Sequence, residues 1–342
     1  MPPPPAVLAA QMRPRRKPKH MSNSTGSKLT VVGAGRVGAS IAYAALLRGS
    51  ARHVSLYDVD RDRVDAEVLD LAHGTTFTGP TDIAGGADIR TAEGSDVVVI
   101  TAGAAQRPGQ SRTDLAGVNT EIVEELMPDL LDVAPDAVFV LVTNPCDVLT
   151  VIASEISALP ASRVFASGTV LDTSRLRREL ARRAGVSVSS VHAHVVGDHG
   201  DSAFVLWDDV RIGTVPVLEW EMPDHTHMSV DDLDDIAASV RGAADRVIRG
   251  KGATDHAIGI SSARIVEAVL LDERVVLPVS TVLSDFHGID GVALSVPSVV
   301  GTDGAVPLRD TPFSTAELAK LTASAAALSD VLRTVRPSLV GG

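Results

Sequence analysis

Cysteine is nearly absent from this chain: Cys146 is the only one among 342 residues, so no disulfide can form within the chain. A sequence without paired cysteines suits a reducing compartment, and we expect a cytoplasmic protein. Aromatic residues make up only 3% of the sequence, so alanine and the branched aliphatic residues must fill the core. No apolar run approaches the roughly 18 residues of a membrane-spanning helix, which argues against a membrane as a partner.

Acidic residues outnumber basic ones, 43 to 26, beyond the first 27 residues. The formal net charge is −12, and because residues 1–27 hold five basic groups and no acidic one, the rest of the chain carries −17. A body of that charge disfavours nucleic acid as a partner, and an anionic substrate would need a local cluster of basic residues. The histidines, the cysteine and the carboxylates show no convincing metal-ligand spacing, so we predict no metal site.

The two ends differ in composition from the rest of the chain. Residues 1–27 contain a proline run, a basic patch and a polar segment, which predicts a disordered leader. No apolar segment follows the basic patch, as it would in a secretory signal. Met21 is an alternative start, and we expect residues 337–342 to form a short tail.

Strand-length apolar segments alternate with helical segments over residues 28–168. This alternation predicts an α/β fold, with a Rossmann-type doubly wound parallel sheet. The apolar run at residues 97–101 is typical of a strand that is covered on both faces.

Residues 169–336 do not continue this regular alternation: short strands with turn residues between them are followed by long helices. This pattern predicts a mixed α+β substrate domain. We expect a helix over residues 173–184 and one long helix over residues 230–249. Residues 275–282 and 292–300 are predicted to form a pair of strands.

The segment GAGRVG at residues 33–38 fits the pattern G-x-G-x-x-G between a predicted strand and a predicted helix. Gly33 permits the tight turn, Gly35 lets a pyrophosphate approach the main chain, and Gly38 allows close packing of helix and strand. Asp58 follows the next strand, can accept hydrogen bonds from both ribose hydroxyls and would repel a 2′-phosphate. The sequence therefore predicts NAD as the cofactor, although the nearby Arg63 softens the preference over NADP.

Several independent motifs occur in the same order as in a known family, which is a stronger signal than any one of them alone. VVGAGRVG, TAGAAQRPGQSR, VTNP, GTVLDTSRLR, GDHGD and KGAT are spread over residues 28–335. In these motifs the chain resembles the lactate/malate dehydrogenases, and among them the allosteric bacterial members. The resemblance implies a 2-hydroxy acid dehydrogenase, and it adds cofactor contacts at Val37, Gly103, Ala104, Val142, Asn144 and Ile258.

Reduction of a ketone by hydride needs a proton for the nascent alkoxide. His199 matches the family's general acid/base, a role that suits imidazole because its ordinary pKa of about 6.5 lies near neutral pH. Asp172 matches the carboxylate that orients this ring and stabilises its charged form. Arg175 lies three residues later, on nearly the same face of a helix, and matches the arginine that binds the substrate carboxylate. A plain basic helix face is the competing interpretation, but the Asp-x-x-Arg spacing in LDTSR favours Arg175 as the substrate contact.

The resemblance assigns the remaining substrate contacts as well. Arg112 matches the arginine of a mobile loop that closes over the substrate and polarises its carbonyl. Asn144 matches a contact to substrate and cofactor, and Thr254 matches a substrate contact. The position of Gln106 resembles that of an arginine which, in the malate branch, pairs with a second carboxylate; a neutral glutamine cannot. The sequence therefore favours pyruvate and lactate over oxaloacetate and malate, unless a one-residue shift of the loop presents Arg107 instead.

The resemblance further implies regulation and assembly. Arg177 and His192 match the two positions that bind fructose 1,6-bisphosphate in allosteric relatives, and the family implies a homotetramer. Arg177 lies roughly 200° around the helix from Arg175, so we expect it to face away from the active site. An ordinary surface arginine and a solvated histidine are the alternative.

Two other interpretations of the function stay open. A malate dehydrogenase or a broader 2-hydroxy acid dehydrogenase is the enzymatic alternative. Asp255 and His256 follow Thr254 where related enzymes tend to have bulky aromatic residues, so longer or branched 2-oxo acids stay possible. A catalytically silent NAD-binding protein is an alternative of another class, since a fold alone does not establish an activity. The joint presence of His199, Asp172, Arg175 and Arg112 argues against it.

Overall fold

A computed structural model describes residues 26–104 and 112–336 of the chain. Most of the predicted leader, residues 105–111 and the predicted tail lie outside the described residues, and so does the side chain of Arg112. No helix in the described part is long and apolar enough to cross a membrane.

The first half of the chain alternates strands and helices, as the sequence predicts. Its elements are β1 (Lys28–Val32), α1 (Arg36–Arg48), β2 (His53–Tyr57), α2 (Arg61–Gly74), β3 (Asp82–Gly86), β4 (Val97–Ile100), α3 (Arg112–Val133), β5 (Val138–Leu141), α4 (Cys146–Ser157) and β6 (Val164–Ala166). The six strands pair in parallel in the spatial order β3-β2-β1-β4-β5-β6. This is the order of a Rossmann-type doubly wound sheet, and the predicted fold class is confirmed.

The central strands are buried on both faces because nearly every residue in them is apolar. In β4, Val98 and Ile100 contribute to the core on one face, while Val97 and Val99 contribute to the core on the other. Residues of α3, α4 and α9 (Thr315–Val335) build the first core, and residues of α1 and α8 (His256–Leu270) build the second. The alternation follows from the two-residue period of a strand, which sends successive side chains to opposite faces.

The second half of the chain contains further helices and short strands. Its elements before α9 are α5 (Val170–Ala184), β7 (Val191–His192), β8 (Val195–Val196), β9 (Phe204–Val205), β10 (Arg211–Ile212), β11 (Val215–Pro216), α6 (Val230–Arg241), α7 (Ala243–Lys251), α8, β12 (Val275–Val282), β13 (Ala293–Gly301) and β14 (Gly304–Pro307). Residues from α5, α6 and the strands β7 to β10 pack around a third apolar core. This arrangement matches the mixed domain that the sequence predicts.

The predicted strand pair at residues 275–282 and 292–300 is present, but its position is unexpected. β12 and β13 pair antiparallel over eight positions, and β12 also pairs antiparallel with β6. With β14 they therefore lengthen the parallel sheet into the order β14-β13-β12-β6-β5-β4-β1-β2-β3. The second half of the chain thus completes the sheet that the first half begins.

Two predicted helix boundaries were wrong. The helix predicted over residues 173–184 begins at Val170, so that Asp172 lies in its first turn. The helix predicted over residues 230–249 is divided into α6 and α7 at Gly242, a residue type that disfavours helix interiors.

Candidate active site

The glycine turn between β1 and α1 leaves room for a ligand at one position only. A side chain at Gly33 would approach Ala102 N and Thr101 Oγ1 to 2.8 Å, and one at Gly38 would overlap the carbonyl oxygen of Gly33. A side chain at Gly35, the N-cap of α1, would meet nothing within 4 Å. Two glycines thus permit close packing, and the third opens the positive end of α1 to an anionic group.

Asp58 lies just beyond the end of β2 and supports the same turn. Its Oδ2 accepts a hydrogen bond from Ala34 N at 2.6 Å, and its Oδ1 accepts one from Asp60 N at 2.9 Å. Arg63 is half exposed, and its guanidinium pairs with Asp60 at 3.4 Å. The residues predicted to hold the pyrophosphate and the ribose therefore occupy one edge of the sheet.

The loops after β4 and β5 are joined by a residue that sequence reasoning missed. Asn119 is fully buried in α3; its Oδ1 accepts a hydrogen bond from Ala104 N, and its Nδ2 donates one to Asn144 O, both at 2.7 Å. Nδ2 also donates to Ala104 O at 3.3 Å. A polar residue within an apolar helical pattern was the available signal. The contact places the predicted cofactor residue Ala104 beside Asn144.

The packing of α8 against α1 brings Ile258 towards the glycine turn. A side chain at Gly259 would approach the carbonyl oxygen of Ser40 to 2.7 Å, so the two helices cross closely there. Val37 and Ile258 both lie against the core on this face of the sheet. Val142, at the end of β5, is buried in the same core. Three predicted cofactor residues therefore border one apolar region.

His199 and Asp172 come together from two different elements. His199 lies in the loop between β8 and β9, and its Nδ1 is 2.8 Å from Asp172 Oδ2 in the first turn of α5. The other oxygen, Oδ1, accepts a hydrogen bond from Arg175 Nη1 at 2.6 Å. Burial alone would raise the pKa of Asp172, but the hydrogen bonds and charges of His199 and Arg175 hold it below its ordinary value. Asp172 therefore stays ionised between two basic partners.

The main chain of the His199 loop is held by several contacts. Gly197 exchanges two hydrogen bonds with Ser295 of β13, at 3.0 and 2.8 Å. His199 N donates to Asp147 Oδ2 in the first turn of α4 at 2.7 Å, and Asp198 N donates to Ser324 Oγ at 3.0 Å. The loop is thus anchored to the extended sheet and to two helices, which fixes the place of the imidazole.

Apart from Arg175, Thr254 and Asn144 are the predicted substrate contacts whose side chains lie in the described part of the chain. Thr254 is half buried and directly precedes Asp255, which caps α8 by accepting from His256 N at 2.7 Å and also pairs with Lys251. Asn144 is exposed beyond the end of β5. Gln106 and the side chain of Arg112 lie outside the described residues, so their predicted contacts with substrate have no structural account.

Arg177 and His192, the predicted effector residues, lie near each other and apart from the Asp172 contacts. Arg177 Nε donates to Ala193 O at 3.0 Å, and its Nη2 is 3.3 Å from His194 Nε2. Burial lowers the pKa of Arg177, and burial together with Arg177 and His192 lowers the pKa of His194 to about 4. His192 itself is exposed in β7. The three side chains form a basic cluster in which His194 is neutral at physiological pH.

Within residues 26–104 and 112–336 there is no group of three histidine, cysteine or carboxylate side chains that could hold a metal ion. Cys146 is buried, and burial raises the pKa of its thiol well above the ordinary value. A thiol in that state is a poor nucleophile. The chemistry that the described residues support is proton transfer and anion binding.

Comparison with known proteins places the chain among similar sequences along most of its length. Residues 27–166 match the family model described as lactate/malate dehydrogenase, NAD binding domain. Residues 169–337 match the model described as lactate/malate dehydrogenase, alpha/beta C-terminal domain.

Individual relatives agree with these matches. The chain is 47% identical over 305 residues to an L-lactate dehydrogenase of Bifidobacterium animalis subsp. lactis, covering 89% of this chain and 95% of the relative. It is 42% identical over 313 residues to an L-lactate dehydrogenase of Synechococcus sp., covering 90% and 99%. The ligand-bound crystal structure of the minor L-lactate dehydrogenase from Enterococcus mundtii superposes with a TM-score of 0.86 at 37% identity, covering 91% and 98%.

Proposed function

The chain belongs to the lactate/malate dehydrogenase family, and on that basis we propose that it is an NAD-dependent L-lactate dehydrogenase that interconverts pyruvate and (S)-lactate. The observation that carries the activity is the bond of 2.8 Å between His199 and Asp172, two residues brought together from separate elements. The open position at Gly35 and the carboxylate of Asp58 fit the pyrophosphate and the ribose of NAD.

The proton chemistry follows from the contact of the His199 ring. When Nδ1 donates to the carboxylate of Asp172, Nε2 is the nitrogen that exchanges a proton with substrate. Protonated His199 gives its proton to the carbonyl oxygen of pyruvate as that oxygen becomes a hydroxyl, and it takes the proton back from lactate in the reverse direction. The cofactor held by the proposed site would supply a hydride to the carbonyl carbon as NADH, and in the reverse direction would accept it from lactate as NAD.

Arg175 is the proposed partner of the substrate carboxylate. Its guanidinium carries five N–H donors in a planar fork, and the described contact with Asp172 uses Nη1. Bidentate binding of a carboxylate by the fork would orient the keto group towards His199. Asn144 and Thr254 are proposed to contact substrate from the ends of β5 and α7, and Arg112 to polarise the carbonyl.

Gln106 supports pyruvate over oxaloacetate as the substrate. A malate dehydrogenase needs a positive charge for the second carboxylate of its substrate, and a glutamine offers none. The structure adds one observation on larger 2-oxo acids: the Asp255 side chain is buried as the cap of α8, and His256 is 83% exposed. Asp255 is thus occupied by Lys251 and by the main chain of α8.

We further propose that the remaining predicted residues form the cofactor site. Gly103 and Ala104 line it after β4, Val37, Val142 and Ile258 contact it from the apolar side, and Arg63 lies at its adenosine end. The proposed division into an NAD-binding domain, residues 28–168, and a substrate domain, residues 169–336, stays a prediction.

Regulation by fructose 1,6-bisphosphate is proposed at Arg177 and His192. The basic cluster of these residues with His194 supports it, because a partly buried arginine that has no carboxylate partner in the described residues can pair with an anion. The helix that carries Arg177 also carries Arg175 and Asp172, which gives a short connection from effector to substrate.

A cytoplasmic homotetramer is the proposed state of the protein. Several large apolar side chains of α1, α2, α8 and the segment after α2 are exposed in the single chain, Phe77 at 89% and Tyr43 and Leu47 at 56% each. Exposed apolar surface of this kind is typical of a face that another subunit covers. The lone, buried Cys146 suits a reducing compartment.

The deciding experiment measures NADH oxidation by the purified protein with pyruvate, oxaloacetate and 2-oxoisocaproate in parallel. We expect the largest kcat/KM with pyruvate. Preference for oxaloacetate would replace the proposal with a malate dehydrogenase and direct attention to Arg107, and preference for 2-oxoisocaproate would favour a broader 2-hydroxy acid dehydrogenase. NADH binding without turnover of any of the three would favour the catalytically silent alternative.

A further inference from the structure

One buried carboxyl group contacts the proton-transfer site without belonging to any of the roles above. Asp147 lies in the first turn of α4 with only 4% of its surface exposed. Its Oδ2 accepts the hydrogen bond from the main-chain N–H of His199 at 2.7 Å. It therefore contacts the backbone of the residue whose ring meets Asp172.

The second oxygen of Asp147 is in an unusual position for a structural carboxyl. Oδ1 is buried and has no hydrogen-bond partner in the described part of the protein, and the same holds for Ser280 Oγ in β12. The Ser280 hydroxyl is nevertheless close enough to lower the pKa of the carboxyl. Burying a carboxyl with an oxygen that no donor satisfies lowers the free energy of unfolding, so stability does not account for this residue.

The charged and titratable groups around Asp147 come from each neighbouring element. Cys146 precedes it in α4, Asp198 and His199 face it from the loop after β8, and Asp172 faces the same region from α5. The pKa of Asp147 is raised to about 6, first by burial and also by the charge of Asp198, while the nearby Ser280 hydroxyl, the hydrogen bond from His199 N and the charge of His199 act to lower it. The charge of Asp147 thus changes within the pH range of the proposed reaction.

We propose that Asp147 is a positioning residue for His199, which holds its main chain by a hydrogen bond and favours its protonated ring by a nearby negative charge. This inference rests on the proposed function. The hydrogen bond fixes where the loop presents the imidazole to Asp172. The negative charge of Asp147 adds to that of Asp172, so the ring of His199 stays protonated to a higher pH. Asp147 contacts neither substrate nor cofactor in this role.

Two substitutions separate the hydrogen bond from the charge. Asp147→Asn keeps an oxygen that accepts from His199 N and removes the charge, whereas Asp147→Ala removes both. We expect Asp147→Ala to lower kcat for pyruvate reduction by at least about tenfold, with NADH affinity within about twofold of the unchanged protein. We expect Asp147→Asn to recover most of kcat, while the pH above which pyruvate reduction declines moves down by about half a unit or more.

A matched control is Glu267→Gln, because Glu267 is also a buried carboxyl but is fully occupied by Arg48 and Ser50. This variant should lose stability with an unchanged pH profile. The proposal is overturned if Asp147→Ala keeps the kcat of the unchanged protein, or if Asp147→Asn loses as much kcat as Asp147→Ala. It is also overturned if the pH profile of Asp147→Asn coincides with that of the unchanged protein. Thermal melts of each variant identify any that fail to fold. If Asp147→Ala does not fold, the pH profile of Asp147→Asn tests the proposal alone.

A readout without turnover separates this inference from the proposed function. Carbethoxylation of His199 by diethyl pyrocarbonate, followed by peptide mass spectrometry, reports the neutral imidazole across pH. We expect the reaction to begin at lower pH in Asp147→Asn than in the unchanged protein. If the unchanged protein reduces none of the three oxo acids, the proposed function fails. Coincident labelling profiles for the two proteins would overturn the role of Asp147 instead.

Discussion

Arg175 Nη1 and Asp172 Oδ1 are 2.6 Å apart, and the other oxygen of the same carboxylate is 2.8 Å from His199 Nδ1. One carboxylate therefore contacts both the proposed proton donor and the proposed substrate-binding arginine. If Arg175 binds the substrate carboxylate as proposed, while Nη1 stays bonded to Asp172, binding of substrate and orientation of the imidazole depend on each other.

Replacing His199 should abolish turnover without affecting cofactor binding. We expect His199→Gln to retain less than about 1% of the kcat for pyruvate reduction, because no other described group stands in position to deliver the proton. NADH titration followed by fluorescence should give an affinity close to that of the unchanged protein. Activity of more than a few per cent would remove His199 from its proposed role.

Replacing the shared carboxylate should impair both of its partners. We expect Asp172→Asn to lower kcat about a hundredfold and to raise KM for pyruvate, because His199 loses its charged partner and Arg175 loses its contact. Steady-state kinetics over a range of pH measures both effects. An unchanged pH profile would mean that Asp172 does not act through the charge of the histidine.

A charge at position 106 should redirect the substrate preference. We expect Gln106→Arg to raise the ratio of kcat/KM for oxaloacetate over pyruvate by at least about tenfold, since the arginine supplies the missing countercharge. Gln106→Met, neutral and of similar length, is the control and should leave the ratio nearly unchanged. Equal changes of this ratio in both variants would show that the charge at position 106 does not determine the substrate preference.

Fructose 1,6-bisphosphate should lower the KM for pyruvate. At pH 6 we expect a decrease of about fivefold or more, and a smaller one at pH 7.5, because an imidazole gains its charge in this range. His194, whose pKa is about 4, stays neutral at both pH values and does not contribute to this difference. The double variant Arg177→Gln, His192→Gln should not respond. Superimposable curves with and without effector in the unchanged protein would contradict the proposed regulation.

Asp147 should reduce stability in a pH-dependent manner. Its pKa of about 6 in the folded chain lies above the ordinary value of 3.8. Between pH 3.8 and pH 6, Asp147 is therefore protonated in the folded state and ionised in the unfolded state. The free energy of unfolding therefore falls as pH rises from about 4 to 6 and stays lower above that. At pH 7.5 we expect Asp147→Asn to be about 1 to 3 kcal/mol more stable than the unchanged protein, and at pH 4 nearly equal to it. Urea unfolding at both pH values is the measurement, and equal stability at pH 7.5 would count against the buried charge.

Local sequence patterns predict the parts of the fold that depend on neighbouring residues. The turn at Gly33 and the spacing of Asp172 and Arg175 are of this kind, and both are visible in the motifs. The contact of His199 with Asp172 joins residues 27 positions apart, and only the family resemblance pointed to it. The roles assigned to these residues stay predictions.

Other features depend on contacts that no local pattern encodes. The pairing of β12 with β6 joins segments more than 100 residues apart, and a strand pair looks the same in sequence whether or not it extends a larger sheet. Asn119 and Asp147 were missed because a single polar residue in a helix is usually solvated. Only the folded chain shows that both are buried and bonded to loops of the site.

The strands β12 to β14 make the two halves of the chain inseparable as folding units. A fragment that ended near residue 168 would leave β6 as an open sheet edge and would lose the side chains of Leu294, Val296 and Leu321 from the core beneath α4. Splitting the gene at the boundary between its two family matches should therefore yield an aggregating product from the first half. Genetic recombination with a relative would have to exchange the nucleotide-binding half together with these three strands.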